Sequence, residues 1–246
     1  ERVRSALQSR YGKPNDGAVS PTFSGHLSRE SDSRGEDHRR DDHRHLHLLP
    51  LAGADRRIDR IVAWAPEGFG APEIAAMASL STVYPPGRSL KAGDRETAER
   101  EREAIRGFPQ FQVALTALGE LSQVAPELFG PASVWRSATP MIPTGRPNRQ
   151  DLADSERSGG VSLRFATRRL GPELGYRSYP EPSAVEFLTD SPTAAQRYRR
   201  YRVGKRLKDA RPAAWLRITF DSPIDGPLAL GMHSHLGLGL FVPETD

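Results

Sequence analysis

Three histidines, His43, His45 and His47, alternate with Arg44 and Leu46 in the run HRHLHLLPL. Successive side chains of an extended strand point to opposite faces, so these imidazoles share one side. An imidazole titrates near pH 6.5, at about its unperturbed pKa, and can act as either general base or general acid close to neutrality. The same row also suits zinc or manganese when other ligands join it, and Asp41, Asp42 and Asp59 are near enough in sequence to offer oxygens. A solvated histidine face with no chemistry is the third reading. A second spaced pair, His233 and His235, sits in a glycine-rich stretch near the end of the chain.

That stretch, GPLALGMHSHLGLGLF, carries Gly226, Gly231, Gly237 and Gly239 at uneven spacing. Glycine lets main chain approach a bulky anion and frees N–H groups to point at it. Neither the G-x-G-x-x-G fingerprint nor the Gly-Lys-Ser/Thr of a phosphate-binding P-loop is matched. The alternative is a turn that lets Leu238, Leu240 and Phe241 reach a core.

Basic residues concentrate in one place. Arg197, Tyr198, Arg199, Arg200, Tyr201, Arg202, Lys205 and Arg206 lie within RYRRYRVGKRLK, which contains no acid. Cations neutralise phosphates and tyrosines stack on unpaired bases at roughly 1–3 kcal/mol per base, so the tract suits RNA. The alternative is an amphipathic helix whose tyrosines cover the core. Arg136, Arg146 and Arg149 form a second basic group. Only Lys13, Lys91, Lys205 and Lys208 are lysines, and the formal charge is +4. Guanidinium groups grip phosphate with two N–H groups at once, although a GC-rich genome gives the same arginine bias.

The 246 residues are enough for one large domain or two small ones, and no cysteine is present for disulfides or thiolate metal sites. No run of about 18 apolar residues exists, and the opening ERVRSALQSRYG has no signal-peptide core, so no membrane and a cytoplasmic location are expected.

The elements that must position these groups follow from periodicity. Val3 and Leu7 predict a helix already under way at the start, which suggests a domain preceding Glu1. The turn formers KPNDGAVSP end that helix, and the charged tract Arg29–Asp42 reads as a loop. His43–Leu51 and Arg57–Ala65 predict a hairpin joined by AGADR. Pro72 opens a helix carrying Ile74, Met77, Leu80 and Tyr84, and Asp94–Arg106 reads as a solvated helix. Phe111–Leu121 fits a helix by spacing but is assigned as a strand followed by a turn. VWRSATPMIPT reads as extended because Pro140 and Pro143 exclude helix, and GRPNRQDLADSERSGG as a polar loop. Leu216, Ile218 and Phe220 alternate with Arg217 and Thr219, the pattern of a half-buried strand.

Four strings taken together, HRHLHLLPL, RIDRIVAWAPEGF, VWRSATPMIPT and ITF-x-x-P-x-x-GPLALG-x-x-SH-x-GLGLF, resemble the repeat-RNA processing endoribonuclease of type I-U (type I-G) CRISPR systems. That subunit is a member of the RAMP superfamily, and the resemblance runs from about Ser24 to Phe241. It implies an α+β fold of two ferredoxin-like (RAMP/RRM-like) units with antiparallel sheets and a C-terminal glycine-rich loop. Residues 1–25 would then be a linking helix and turn from a second, fused or adjacent RAMP domain, 26–133 the first unit and 134–246 the second.

The resemblance also implies metal-independent cleavage of precursor RNA within repeats, with no cofactor. The 2′-hydroxyl attacks the neighbouring phosphorus, a histidine takes its proton, and a 2′,3′-cyclic phosphate remains. The matching positions are His43 and His45, with His26 of the Ser-Gly-His turn as partner. His233, His235, Gly237 and Gly239 match the RNA-holding end. The implied partners are the repeat or guide RNA and the other subunits of a type I effector complex, in which a non-catalytic RNA-binding cap is the alternative role. The chain departs from the pattern at Arg60, where the family run often reads Arg-Ile-Asp-His.

Overall fold

The computed structural model describes residues 2–25, 45–53, 57–84, 110–188 and 211–244. It is a mixed α+β chain with antiparallel sheets. Two compact units emerge. The first gathers described residues within 1–48 and 63–118, and the second those within 49–62, 119–200 and 209–246. No helix among the described residues is long and apolar enough to cross a membrane.

In the first unit, α1 (Arg2–Gly12) turns Leu7 inward, and α2 (Pro21–Ser24) is one short turn. Ser20 caps α2 by accepting from the Phe23 amide, and Gly25 closes it in the left-handed conformation at φ 73°. The stretch read from sequence as a linking helix and turn thus supplies Leu7 and Phe23 to a core shared with Leu46, Leu48, Ala76, Met77, Leu80 and Val83. Helix α3 (Ala71–Ser79) has proline in its first turn. It ends before Tyr84, because β3 (Thr82–Val83) instead pairs antiparallel with β4 (Phe111–Gln112). The Ser20 hydroxyl donates to the buried Glu73 carboxylate at 2.7 Å, fastening the start of α2 to that of α3.

The predicted hairpin is β1 (His47–Ala52) with β2 (Ile58–Trp64), and it contributes residues to both units. Its turn is closed by the Gly53 amide donating to the Arg57 carbonyl at 2.9 Å.

The second unit begins with a short helix, α4 (Leu121–Val124), and is built on β5 (Ala132–Ser137) and β9 (Leu216–Ile224). In β9 Leu216, Ile218 and Phe220 are buried and Arg217 and Thr219 half-buried, as the alternation requires. The short strands β6 (Arg157–Ser158) and β7 (Val161–Ser162) form a separate pair, and β8 (Ala184–Phe187), β10 (Leu228–Ala229) and β11 (Leu240–Pro243) complete the set. The main sheet runs β10-β11-β5-β9-β8 with every neighbouring pair antiparallel. Since β5 and β8 both run against β9, they are parallel to each other, and the chain crosses between them through a helix.

That helix also buries the sheet. Two helices occur here, α5 (Arg149–Ala153) in the stretch expected as a loop and α6 (Leu163–Tyr176). Phe165, Ala166, Leu170 and Leu174 of α6 recur at helical spacing and pack with Trp135, Leu216, Ile218 and Phe220. Fully burying one such side chain stabilises the unit by about 1.5–3 kcal/mol. Gly171 and Pro172 lie in its interior, and Pro172 is exposed, so that its ring meets solvent and not the sheet.

Candidate functional site

Two regions hold the predicted histidines that the structure describes, one in each unit. In the first, the imidazoles of His45 and His47 stack with centroids 5.7 Å apart and planes at 23°. His47 opens β1 and His45 lies in the bend just before it, two residues earlier. His47 also meets the Trp64 ring edge-on at 5.3 Å, a contact across the hairpin that the sequence does not advertise. His45 is 9% exposed and His47 1%, so the pair is packed and not laid out on a solvated face.

The turn ending at Gly25 comes against the same imidazole. A methyl group on Gly25 would lie 3.0 Å from the His45 Cγ, and the Leu46 amide donates to the Thr22 carbonyl at 2.7 Å. The turn ending at Gly25 and the segment entering β1 at His45 therefore meet. His26 and His43 lie outside the described residues, as does the whole basic tract Arg197, Tyr198, Arg199, Arg200, Tyr201, Arg202, Lys205 and Arg206. The Asp94–Arg106 segment lies outside them too.

The second region is the glycine-rich end. His233 adopts a left-handed conformation at φ 64°, a 3-10 turn spans Ser234–Leu236, and Gly237 follows at φ 89°. The His233 and His235 rings are 6.4 Å apart at 66°, and both are half-buried. The sequence separates this turn from VWRSATPMIPT by about a hundred residues, but the fold joins them. The Thr139 hydroxyl donates to the Gly237 carbonyl at 2.7 Å and accepts from the Leu240 amide at 2.9 Å. The Gly239 amide donates to the Pro140 carbonyl at 2.9 Å, and the Met232 amide to the Ile142 carbonyl at 2.8 Å.

Close packing explains the glycines here. A Cβ on Gly239 would overlap the Leu230 carbonyl oxygen, and one on Gly231 the carbonyl oxygen of Ile142. The space their missing side chains leave is filled by the protein's own main chain. Glu173 of α6 accepts a short hydrogen bond from the Gly231 amide, which ties the turn to the helix.

The remaining predicted contacts are all in the second unit. Arg136 is exposed on β5, opposite Arg217 and Val242. Arg217 is gripped by both Glu244 oxygens at 2.7 Å. This hydrogen bonding is the main reason the Glu244 carboxyl is held below the usual range, and the Arg136 charge adds a smaller share. Arg146 and Arg149 are exposed around α5, whose Asn148 cap and Asp151 carboxylate form a reciprocal capping box. Asp151 is fully buried and bonded to Arg168, and that hydrogen bond is the largest cause of its lowered pKa, outweighing the opposing effect of burial. Arg60 pairs with Glu127 at 2.7 Å.

Among the described residues no group of three or more His, Cys, Asp or Glu side chains could hold a metal ion. One cationic residue that sequence reasoning missed is Arg169, whose guanidinium lies against Gly145. Nothing in the local pattern RFATRRLGPE distinguishes it from Arg164 or Arg168. Compared with known proteins, the chain matches no family model, and no curated protein or solved structure matches it significantly.

Proposed function

We propose that the chain is a metal-independent CRISPR repeat-RNA endoribonuclease that keeps its guide RNA as a subunit of a type I effector complex. The observation that carries this reading is the meeting of the Ser-Gly-His turn with the H-x-H strand, through Gly25 and His45. Those are two segments in which the resemblance calls for catalytic imidazoles.

Further support comes from the second unit. Its sheet orders the last, first, third and second of its long strands side by side, with a helix crossing from the first to the second. A split β-α-β of the ferredoxin-like kind has this strand order, which supports the RAMP reading. The glycine-rich turn stands where such a unit has its second helix.

In the proposed reaction His45 or His43 removes the 2′ proton. The 2′ oxygen bonds to phosphorus as the P–O5′ bond breaks. His26 protonates the departing 5′ oxygen, and arginine charge stabilises the phosphorane. The products are a 2′,3′-cyclic phosphate and a 5′ hydroxyl.

One observation favours the alternative of a non-catalytic cap that only holds guide RNA: both His45 and His47 are buried. Incubating the protein with labelled repeat RNA in excess EDTA separates the two. Cleavage leaving a cyclic-phosphate end supports the nuclease, and tight binding with intact RNA supports the cap. Cleavage that disappears with EDTA overturns the metal-independent mechanism.

A further inference from the structure

The second unit holds a cationic site that the motif residues alone do not define. Gly145, at φ 74°, lies so close to Arg169 that any Cβ there would overlap the guanidinium. The glycine therefore leaves the room in which this cation sits. Among the described residues the buried Arg169 Nε has no hydrogen-bond partner, and its guanidinium lies 6.0 Å from the centroid of the Phe165 ring. Arg146 follows Gly145 directly and is exposed.

The neighbouring arginines of the same helix are already committed. Arg168 is bonded to the buried Asp151, and Arg164 donates to Gln150 at 2.7 Å and lies 3.9 Å from Asp151. Among the described residues no carboxylate pairs with Arg146 or Arg169. Gly145 brings the backbone that carries Arg146 up to the Arg169 guanidinium; like charges that approach without a counter-charge repel one another, and binding an anion relieves that repulsion. The segment also passes the glycine-rich turn just before Gly145, through the Met232–Ile142 hydrogen bond, and Glu173, one helical turn beyond Arg169, holds the Gly231 amide.

We propose that Arg169 and Arg146 form a cradle for the phosphodiester backbone of RNA running past the His233–His235 turn, with Gly145 setting the position of the Arg169 fork. This rests on the RNA-binding part of the function proposed above and does not depend on cleavage. A guanidinium presents two parallel N–H groups to one phosphate, which a lone point charge does not.

The test is the affinity of the full chain for a fluorescent, fully 2′-O-methylated single-stranded RNA across a range of salt concentrations. That RNA cannot be cut by 2′-hydroxyl attack. Each lost phosphate contact should lower the slope of log K against log salt by about 0.7 for a single strand. Arg169→Gln and Arg146→Gln are each expected to weaken binding and reduce the slope by about that amount. Arg164→Gln removes the same charge from a group already engaged and should leave the slope unchanged.

An unchanged slope in the Arg146→Gln/Arg169→Gln double variant overturns the cradle. So does an equal fall in Arg164→Gln, which would mark a general charge effect. Displacement of the RNA by inorganic phosphate at constant ionic strength would overturn the backbone assignment in favour of a small-phosphate site. Melting curves of each variant check that a lost slope is not lost folding. If the parent binds this RNA with the expected slope yet leaves repeat RNA intact, the cradle stands and the nuclease reading fails.

Discussion

The chain contains the His-x-His pattern twice in its described parts, and the two copies come out differently. Where the chain enters β1, the rings of His45 and His47 are nearly parallel and packed away, against Gly25 and Trp64. In the glycine-rich turn, His233 and His235 are inclined at 66° and half-buried, on a backbone that reverses through left-handed residues. Equal spacing fixes a common face only when the backbone is extended. In the turn, main-chain hydrogen bonds and absent side chains decide where each ring goes.

The contrast can be broken most sharply at the level of chemistry. His45→Ala is expected to slow repeat-RNA cleavage by about 10²–10⁴-fold, the usual contribution of a general acid or base. His233→Ala should leave the cleavage rate within a few-fold and act on RNA affinity. Single-turnover rates at saturating protein read this directly, and equal losses in the two variants would erase the distinction.

Next in size are the glycines that shape each region. Gly239→Ala must push a methyl into the Leu230 carbonyl from a positive φ, and we expect a loss of about 3 kcal/mol or more in thermal or denaturant unfolding. Gly25→Ala meets a side chain that can yield by a few tenths of an ångström, so about 1–2 kcal/mol is expected there. A smaller loss for Gly239→Ala than for Gly25→Ala would mean that the turn is more pliable than its packing indicates.

Removing imidazoles should rank by burial. His47→Ala leaves a cavity beside Trp64 and is expected to cost about 2 kcal/mol, whereas His235→Ala should cost below about 1 kcal/mol. Comparable melting temperatures for the two variants would contradict the burial difference.

The smallest effect is one of acid. Hydrogen bonding to Arg168 depresses the pKa of Asp151 in the folded state. Its contribution to stability is therefore complete above the unfolded value of about 3.9 and is lost as pH falls through the lower folded value. In the second unit, Asp151→Asn should flatten the fall of melting temperature with acid and lower the plateau near neutrality. The first unit should show no change.

Much of the frame was legible in the chain itself. The alternation of Leu216, Ile218 and Phe220 defines β9 because a half-buried strand needs nothing more than period two. The hairpin of β1 and β2 and the helix beginning at Pro72 were readable for the same local reasons, although α3 stops at Ser79 where continued apolar spacing suggested Tyr84. Helix α6 was not read from the sequence; Gly171 and Pro172 disfavour a helix interior, and packing against the sheet overrides that preference. Burial of the imidazole row was equally out of reach, since it depends on Trp64 and on a turn some twenty residues earlier in the chain.

By itself the sequence determined which residues could do chemistry: imidazoles spaced to share a strand face, arginines without nearby acids, and glycines where side chains would intrude. Only the tertiary structure decided which of them meet. It brought Gly25 to His45, Thr139 to Gly237 and Gly145 to Arg169, because these contacts join segments whose approach is set by burial of two separate cores and by pairing of main-chain groups far apart in the chain. Local spacing carries no record of such distances.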